Sequence, residues 1–115
     1  ERVFAFMDIN PINAGHSLVI PKFHAANVFE TPDEWVAATM VGIRRLSRAV
    51  EKTVAPFGIN VLQANGPGAN QSVFHFHMHV IPRLQDDGLT MNWGHNPGDM
   101  DAIGKLCQAI KGNLD

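Results

Sequence analysis

Three histidines alternate with apolar residues along His75-Phe76-His77-Met78-His79, and the run continues into Val80-Ile81-Pro82-Arg83. Successive side chains of a strand point to opposite faces. In an extended run, His75, His77 and His79 share one face, while Phe74, Phe76, Met78 and Val80 share the other. Neighbouring imidazoles are then roughly 6.5–7 Å apart, twice the strand rise. An apolar face to bury and an imidazole face to leave open constrain both how the segment packs and where chemistry can occur. Half of the six histidines fall in this run, so it is not diffuse polar decoration.

A chain of 115 residues suits one domain, spanning 1–115, with one core. Its 45% hydrophobic and 17% charged residues are globular proportions, not those of a disordered chain. A net charge of −2 argues against a nucleic-acid partner or attraction to a membrane surface, and leaves room for a local anion site. The single Cys107 excludes an intramolecular disulfide and multi-cysteine zinc patterns, which agrees with a reducing, cytoplasmic setting. No apolar run approaches transmembrane length, and no secretory leader is visible. The sequence opens on strand-like Glu1-Arg2-Val3-Phe4, so further N-terminal residues are expected to precede it.

Val3–Asp8 reads as a strand, Asn10–Gly15 as a turn and His16–Ile20 as a second strand, the two pairing as an antiparallel hairpin. Thr31-Pro32-Asp33-Glu34 predicts a helix start with a capping box. From there Ile43, Leu46, Val50 and Val54 fall on one side together with Trp35, Val36, Thr39 and Met40; the charged residues around Arg44 take the rest. The helix should end before Pro56. Ile59–Asn65 reads as a third strand, Gly66–Asn70 as a tight loop and Val73–Ile81 as the histidine strand, closed by Pro82. Leu84–Pro97 reads as irregular. Met100, Ile103, Leu106, Cys107 and Ile110 have helical spacing, with Cys107 as a small core residue. The result is an α+β arrangement, an antiparallel sheet with helices on one face.

Three kinds of chemistry suit the histidine face. One is purely structural, with each ring nitrogen hydrogen-bonded inside the fold. Another is a His-ligated zinc hydrolase, since two histidines at i and i+2 can share an ion, although no Asp, Glu or Cys lies within the run. The third is nucleophilic and acid–base chemistry on a phosphoryl group. Imidazole titrates near neutrality, so one ring can attack phosphorus while another donates. The Gly-rich loop Gly66–Ser72 lies just upstream and can aim amide and hydroxyl donors at phosphate oxygens.

The run His75-Phe76-His77-Met78-His79-Val80-Ile81 resembles the motif of the histidine triad (HIT) family, His-φ-His-φ-His-φ-φ with φ apolar. Pro11 followed by Gly15-His16-Ser17-Leu18-Val19-Ile20-Pro21-Lys22 resembles the N-terminal signature of the same family, and Asn65-Gly66 through Gln71-Ser72-Val73-Phe74 its loop before the triad. The three blocks occur in the family's order across Phe4 to Arg83. The resemblance implies a five-stranded antiparallel sheet with two helices, paired into a homodimer. It implies a nucleotide hydrolase or transferase acting at the α-phosphate of nucleoside phosphoramidates or dinucleoside polyphosphates, through a nucleotidyl-histidine. A nucleotide-binding regulatory module with little turnover is the non-enzymatic alternative.

Carried over residue by residue, the resemblance makes His77 the nucleophile, His79 a hydrogen-bond partner of the α-phosphate and His75 the residue that orients the nucleophile. His16 matches a further histidine near the site, Asp8 a ribose acceptor, and Phe6 and Ile9 positions lining the base pocket. Gln71 and Ser72 match positions near the phosphate and leaving group. Ala64 stands where the family commonly has Asn or Gln, with Asn65 beside it as the substitute, and Asn70 replaces the usual Gly. The partner implied is a purine nucleotide. The resemblance implies that no metal cofactor is required; Mg²⁺ is expected only with polyphosphate substrates, and any zinc only in an N-terminal segment outside this sequence. On pattern alone, Phe6 and Ile9 read as core, Asp8 as a turn acceptor, His16 as a hydrogen-bonded strand residue, and His24 and His95 as surface residues.

Overall fold

The alternation at the N-terminus yields two paired strands, β1 (Val3–Met7) and β2 (Ser17–Pro21). The computed structural model describes residues 1–90 and 95–115. Helix α1 (Asp33–Val54) follows, then β3 (Gly58–Leu62), β4 (Met78–Arg83) and α2 (Met100–Gly112). The sheet has the order β1-β2-β4-β3, every pair antiparallel. It has four strands among the described residues, not the expected five; the fifth was implied by resemblance, whereas the residues themselves offered four apolar runs.

One sheet face packs against α1. Val19 and Val80 meet Ile43 and Val50 of the helix in a buried cluster, with Val3, Ile59 and Met78 closing its edges. Gly42 lets α1 approach this closely: a Cβ there would lie 3.0 Å from Val19 Cγ1 and 3.1 Å from Val3 Cγ2. The cross-strand register Phe6↔Leu18↔His79↔Leu62 runs along the opposite face, because directly paired residues share a face. The expected division into a buried apolar side and a histidine side therefore holds for Met78, His79 and Val80.

It fails further upstream. The ladder between β2 and β4 stops at Val19↔Met78, so Val73–His77 is not strand. Continuing the register would set Phe76 opposite Pro21, which has no N–H to give. Instead, Phe76 N–H donates to Ala25 O at 2.7 Å, and Phe76 alone becomes deeply buried while Phe74 stays 68% exposed. At the other end β4 runs through Pro82, paired with Ile59, to Arg83. The third strand stops at Leu62, short of Asn65.

The start of α1 differs as well. Pro32 is its N-cap and no side chain caps it; Thr31 Oγ1 donates to Asn27 O at 2.7 Å, tying down the preceding loop instead. The helix ends as expected before Pro56, with Ala55 left-handed and its N–H on Glu51 O. Helix α2 is capped by Asp99, which accepts from Asp101 N–H. It touches none of the other described elements, so Cys107 is exposed instead of buried and, among the described residues, α1 alone covers the sheet. Of the irregular stretch Leu84–Pro97, residues 91–94 lie outside the described residues. No described helix is long and apolar enough to cross a membrane.

Candidate active site

His77 precedes β4 by one residue and is held by its own backbone neighbourhood. Its Nδ1 lies 2.7 Å from His75 O. A carbonyl only accepts, so Nδ1 carries the proton and Nε2 keeps the lone pair. The ring stands edge-on to that of His79, with centroids 5.0 Å apart, closer than an ideal strand would set them. His79 lies inside β4, half-buried, on the face opposite the α1 core.

Behind His79 lies His16, only 2% exposed. Its Nε2 is 2.9 Å from His79 Nδ1, and its Nδ1 accepts from Ile12 N–H at 3.0 Å. Asp8 Oδ2 reaches the same His16 Nε2 at 3.4 Å, while its Oδ1 accepts from Asn10 N–H at 2.8 Å. Burial lowers the His79 pKa from its ordinary value, and His77 and His16 push it the same way against a smaller opposing effect of Asp8. His79 is therefore held neutral further into acid than an exposed histidine.

The ligand atoms of Asp8, His16 and His79 lie within 4.8 Å of one another, the spacing a metal ion would need. The hydrogen bonds oppose such use. With Ile12 N–H on Nδ1, the ring proton of His16 sits on Nε2, facing Asp8 and His79. An ion there would have to displace that proton and leave two N–H groups of Ile12 and His16 pointed at each other.

His75 has a different position from the one alternation suggests. Its Nε2 donates to Pro21 O at 2.9 Å, and its Nδ1 lies 2.9 Å from Nδ1 of His24. The ring is thus turned toward the end of β2, and what reaches His77 is its carbonyl. His24 is exposed, as a lone polar residue after Pro21-Lys22 reads, and its ring also joins the cluster through His75. Its spacing from Pro21 was the available signal: His24 lies three residues past the strand end, just before Ala25, whose carbonyl accepts from Phe76 N–H.

The upstream loop is braced by its own amides. Asn65 Oδ1 accepts from Val28 N–H at 2.9 Å and from Gln63, and its Nδ2 donates to Gln63 Oε1. Gln71 is buried; its Oε1 accepts from Gly66 N–H at 2.8 Å, and its Nε2 donates to Ala26 O and Val73 O. Both side chains are spent within the protein, not extended toward a ligand. Asn70 adopts the left-handed φ of 65° that Gly would take there, a conformation Asn tolerates. Ser72 is exposed, Phe6 is 42% exposed on the same face as His79, and Ile9 is 92% exposed. The structure therefore brings together His77, His79, His16 and Asp8, sets Phe6 on their face, and leaves Ile9 outside any packing.

A cleft of about 630 Å³ at Phe57 and Arg83–Thr90 includes none of the histidines. Its floor is an ion pair: Arg83 Nε to Asp87 Oδ2 at 2.8 Å, with Asn13 Nδ2 on the same carboxylate at 3.0 Å. The Arg83 guanidinium holds the Asp87 carboxyl well below the usual range. Asn13 also donates to Pro82 O, so this pair ties the turn that carries Ile12 to the end of β4.

Residues 1–86 match the family model described as HIT domain. The chain is 43% identical over 100 residues to Protein hit of Bacillus subtilis, covering 86% of this chain and 69% of that one. It is 38% identical over 113 residues to adenosine 5'-monophosphoramidase HNT1 of Saccharomyces cerevisiae, covering 97% and 69%. The crystal structure of a HIT family member from Bacillus subtilis superposes with a TM-score of 0.93 at 37% identity, covering 100% of this chain and 84% of that one.

Proposed function

The chain belongs to the HIT domain family, and from that premise we propose that it hydrolyses or transfers nucleotides at the α-phosphate of nucleoside phosphoramidates or dinucleoside polyphosphates, through a nucleotidyl group held on His77. The observation that carries this reading is the His77 ring itself. Its Nδ1–H is fixed on His75 O, so Nε2 offers a lone pair without a prior deprotonation.

In the first step the bond from His77 Nε2 to the α-phosphorus forms as the bond to the leaving group breaks, and the leaving group keeps that electron pair and takes a proton from solvent. The positive charge that develops on the imidazole is stabilised by His75 O. In the second step water attacks the same phosphorus and gives up a proton to solvent, the N–P bond breaks with its electron pair returning to His77 Nε2, and the nucleotide leaves. His79 donates to a non-bridging oxygen and Ser72 to the leaving group, while Phe6 and Ile9 border the base and Asp8 accepts from the ribose. Asn65 and Gln71 act only through the loop they brace, whose Gly66, Ala69, Asn70 and Gln71 amides are spent on bonds within it. No resident metal enters this scheme. The relatives named adenosine 5'-monophosphoramidase favour a phosphoramidate substrate with adenine as base.

The protein acts as a homodimer in this reading. Strand β3 is a sheet edge with unpaired backbone groups, and α2 exposes Ile103, Leu106 and Ile110.

Replacing the nucleophile tests the proposal. His77→Ala, assayed on adenosine phosphoramidate and on a diadenosine polyphosphate, should lower kcat by about 10⁴-fold or more while AMP still binds. Undiminished turnover would remove His77 from the role of nucleophile.

A further inference from the structure

We propose that Asn13 and Asp87 form a positioning pair: together they fasten the turn after β1 to the end of β4, and so set how tightly the site holds a nucleotide. This rests on the function proposed above, in which Asp8 accepts from the ribose and Ile9 borders the base.

The turn needs a polar fastening because apolar packing does not supply one. Ile9 is 92% exposed, and Asn10, Pro11, Ile12 and Ala14 are exposed as well. The main-chain bonds shape the turn from within. Asp8 N–H donates to His16 O at 3.0 Å, His16 N–H to Asn13 O at 3.0 Å, and Asn10 N–H to Asp8 Oδ1 at 2.8 Å. Among the side chains of residues 9–15, that of Asn13 alone has hydrogen bonds to the rest of the described chain. Its Nδ2 spends both protons, one on Pro82 O at 2.9 Å and one on Asp87 Oδ2 at 3.0 Å. Gly15 rests on the same spot with φ +93°, and a Cβ there would lie 3.1 Å from Pro82 Cγ.

Asp87 is built to receive this bond. Its side chain is 3% exposed. Five N–H donors converge on its two oxygens: Arg83 Nε, Asn13 Nδ2 and the Leu84 amide on Oδ2, Arg83 Nη2 and the Leu89 amide on Oδ1. A side-chain amide would keep one acceptor oxygen and turn an NH₂ group toward donors that cannot accept. Arg83 Nη1 also donates to Asn60 Oδ1 on β3 at 2.7 Å, so the anchor is continuous with the sheet.

Neither residue belongs to the motifs that carry the family resemblance. Asn13 lies between the Pro11 and Gly15 of the N-terminal signature, and Asp87 lies just past the matched residues 1–86. The His77 ring does not depend on them, since it is held by His75 O. Loosening the turn therefore frees Asp8 and Ile9 to sample other positions and weakens nucleotide binding, while transfer of the phosphorus keeps its rate.

The test uses the full chain. Asn13→Ala removes the fastening but keeps the main-chain carbonyl at residue 13 and the Arg83–Asp87 ion pair. It should weaken AMP binding about tenfold, with kcat on adenosine phosphoramidate within about threefold of wild type. Hydrogen exchange of the Ile12 and His16 amides should become about tenfold faster, while the β2–β4 ladder exchanges as in wild type. Asp87→Asn should move AMP binding and turn exchange in the same direction. The double variant should bind AMP no more weakly than the weaker single variant, because both changes break one link. An Asn13→Ala protein with wild-type AMP affinity, or with wild-type exchange at Ile12, overturns the proposal even if Asp87→Asn does not fold. So does a loss confined to kcat, or a double variant in which the two losses add. The exchange measurement needs no substrate. A wild-type protein that neither binds nor turns over nucleotides would defeat the proposed function, and exchange at Ile12 would still decide whether the pair holds the turn.

Discussion

A carbonyl can only accept a hydrogen bond, and that constraint separates the histidines of the run. His75 O takes the Nδ1 proton of His77 and leaves its Nε2 free to attack. The Ile12 amide works in the opposite sense through His16, and gives His79 a donor. His79 also illustrates the pH dependence such burial brings. Its pKa lies below the ordinary value of about 6.5, so below that pH the unfolded chain binds more protons on this residue than the folded one. Its contribution to stability is present above that range and is lost as the pH falls. Alternation made the three histidines legible as a set, and only the family resemblance singled out His77 among them as the proposed nucleophile. The role of His75 was legible only in outline: its orienting effect comes from a carbonyl, which every residue has, while its ring is occupied by Pro21 and His24. Asn65 and Gln71 were placed near the phosphate by the family resemblance alone. Which backbone groups they would satisfy depended on a loop from residues 63 to 73 meeting one from 25 to 28.

At the scale of elements, local patterning located β1, β2, α1, β3 and α2 to within a few residues, because period and punctuation are local properties. It misplaced the start of β4, because a ladder ends where a partner runs out of donors, and that partner is Pro21, more than fifty residues away. The capping box failed for a similar reason: Thr31 found Asn27 O first. The Arg83–Asp87 pair joins elements that no short window contains, namely the end of β4, Asn60 of β3 and the Ile12-bearing turn. Asp87 has its carboxyl pKa lowered, first by Arg83 and then by the Leu89 amide, so folding favours its ionised form. That contribution is present above the unfolded carboxylate value of about 4 and disappears as the pH falls through the lower folded one. Asp87→Asn should therefore lower the melting temperature at pH 7, and the gap to wild type should narrow as the pH is taken down from 5 toward 2. Thermal unfolding across that range checks it; a gap constant with pH would show that the charge is not what stabilises the junction.

For the molecule as a whole, the radius of gyration is 16.7 Å, against roughly 13 Å for a compact domain of this length. Helix α2 accounts for the excess, since it packs on no other element and leaves Leu106 64% and Ile110 62% exposed. Its apolar stripe was legible as a helix from spacing alone. What the stripe packs against was not, because amphipathicity is the same whether the partner is in the same chain or another. In the homodimer reading, sedimentation equilibrium should give twice the chain mass at micromolar concentration. The pair Leu106→Glu and Ile110→Glu should give a weaker dimer that retains the secondary structure of its sheet. A wild-type protein of single-chain mass at those concentrations would contradict that reading.

In the proposed mechanism the α-phosphorus is transferred to His77 before water receives it. Each in-line displacement inverts phosphorus, so two displacements restore the starting configuration. A nucleoside phosphoramidate made chiral at the α-phosphorus by sulfur substitution, hydrolysed in ¹⁸O water, reads this directly from its product. Transfer through His77 gives net retention of configuration; net inversion, the outcome of water attacking in one step, would rule that transfer out.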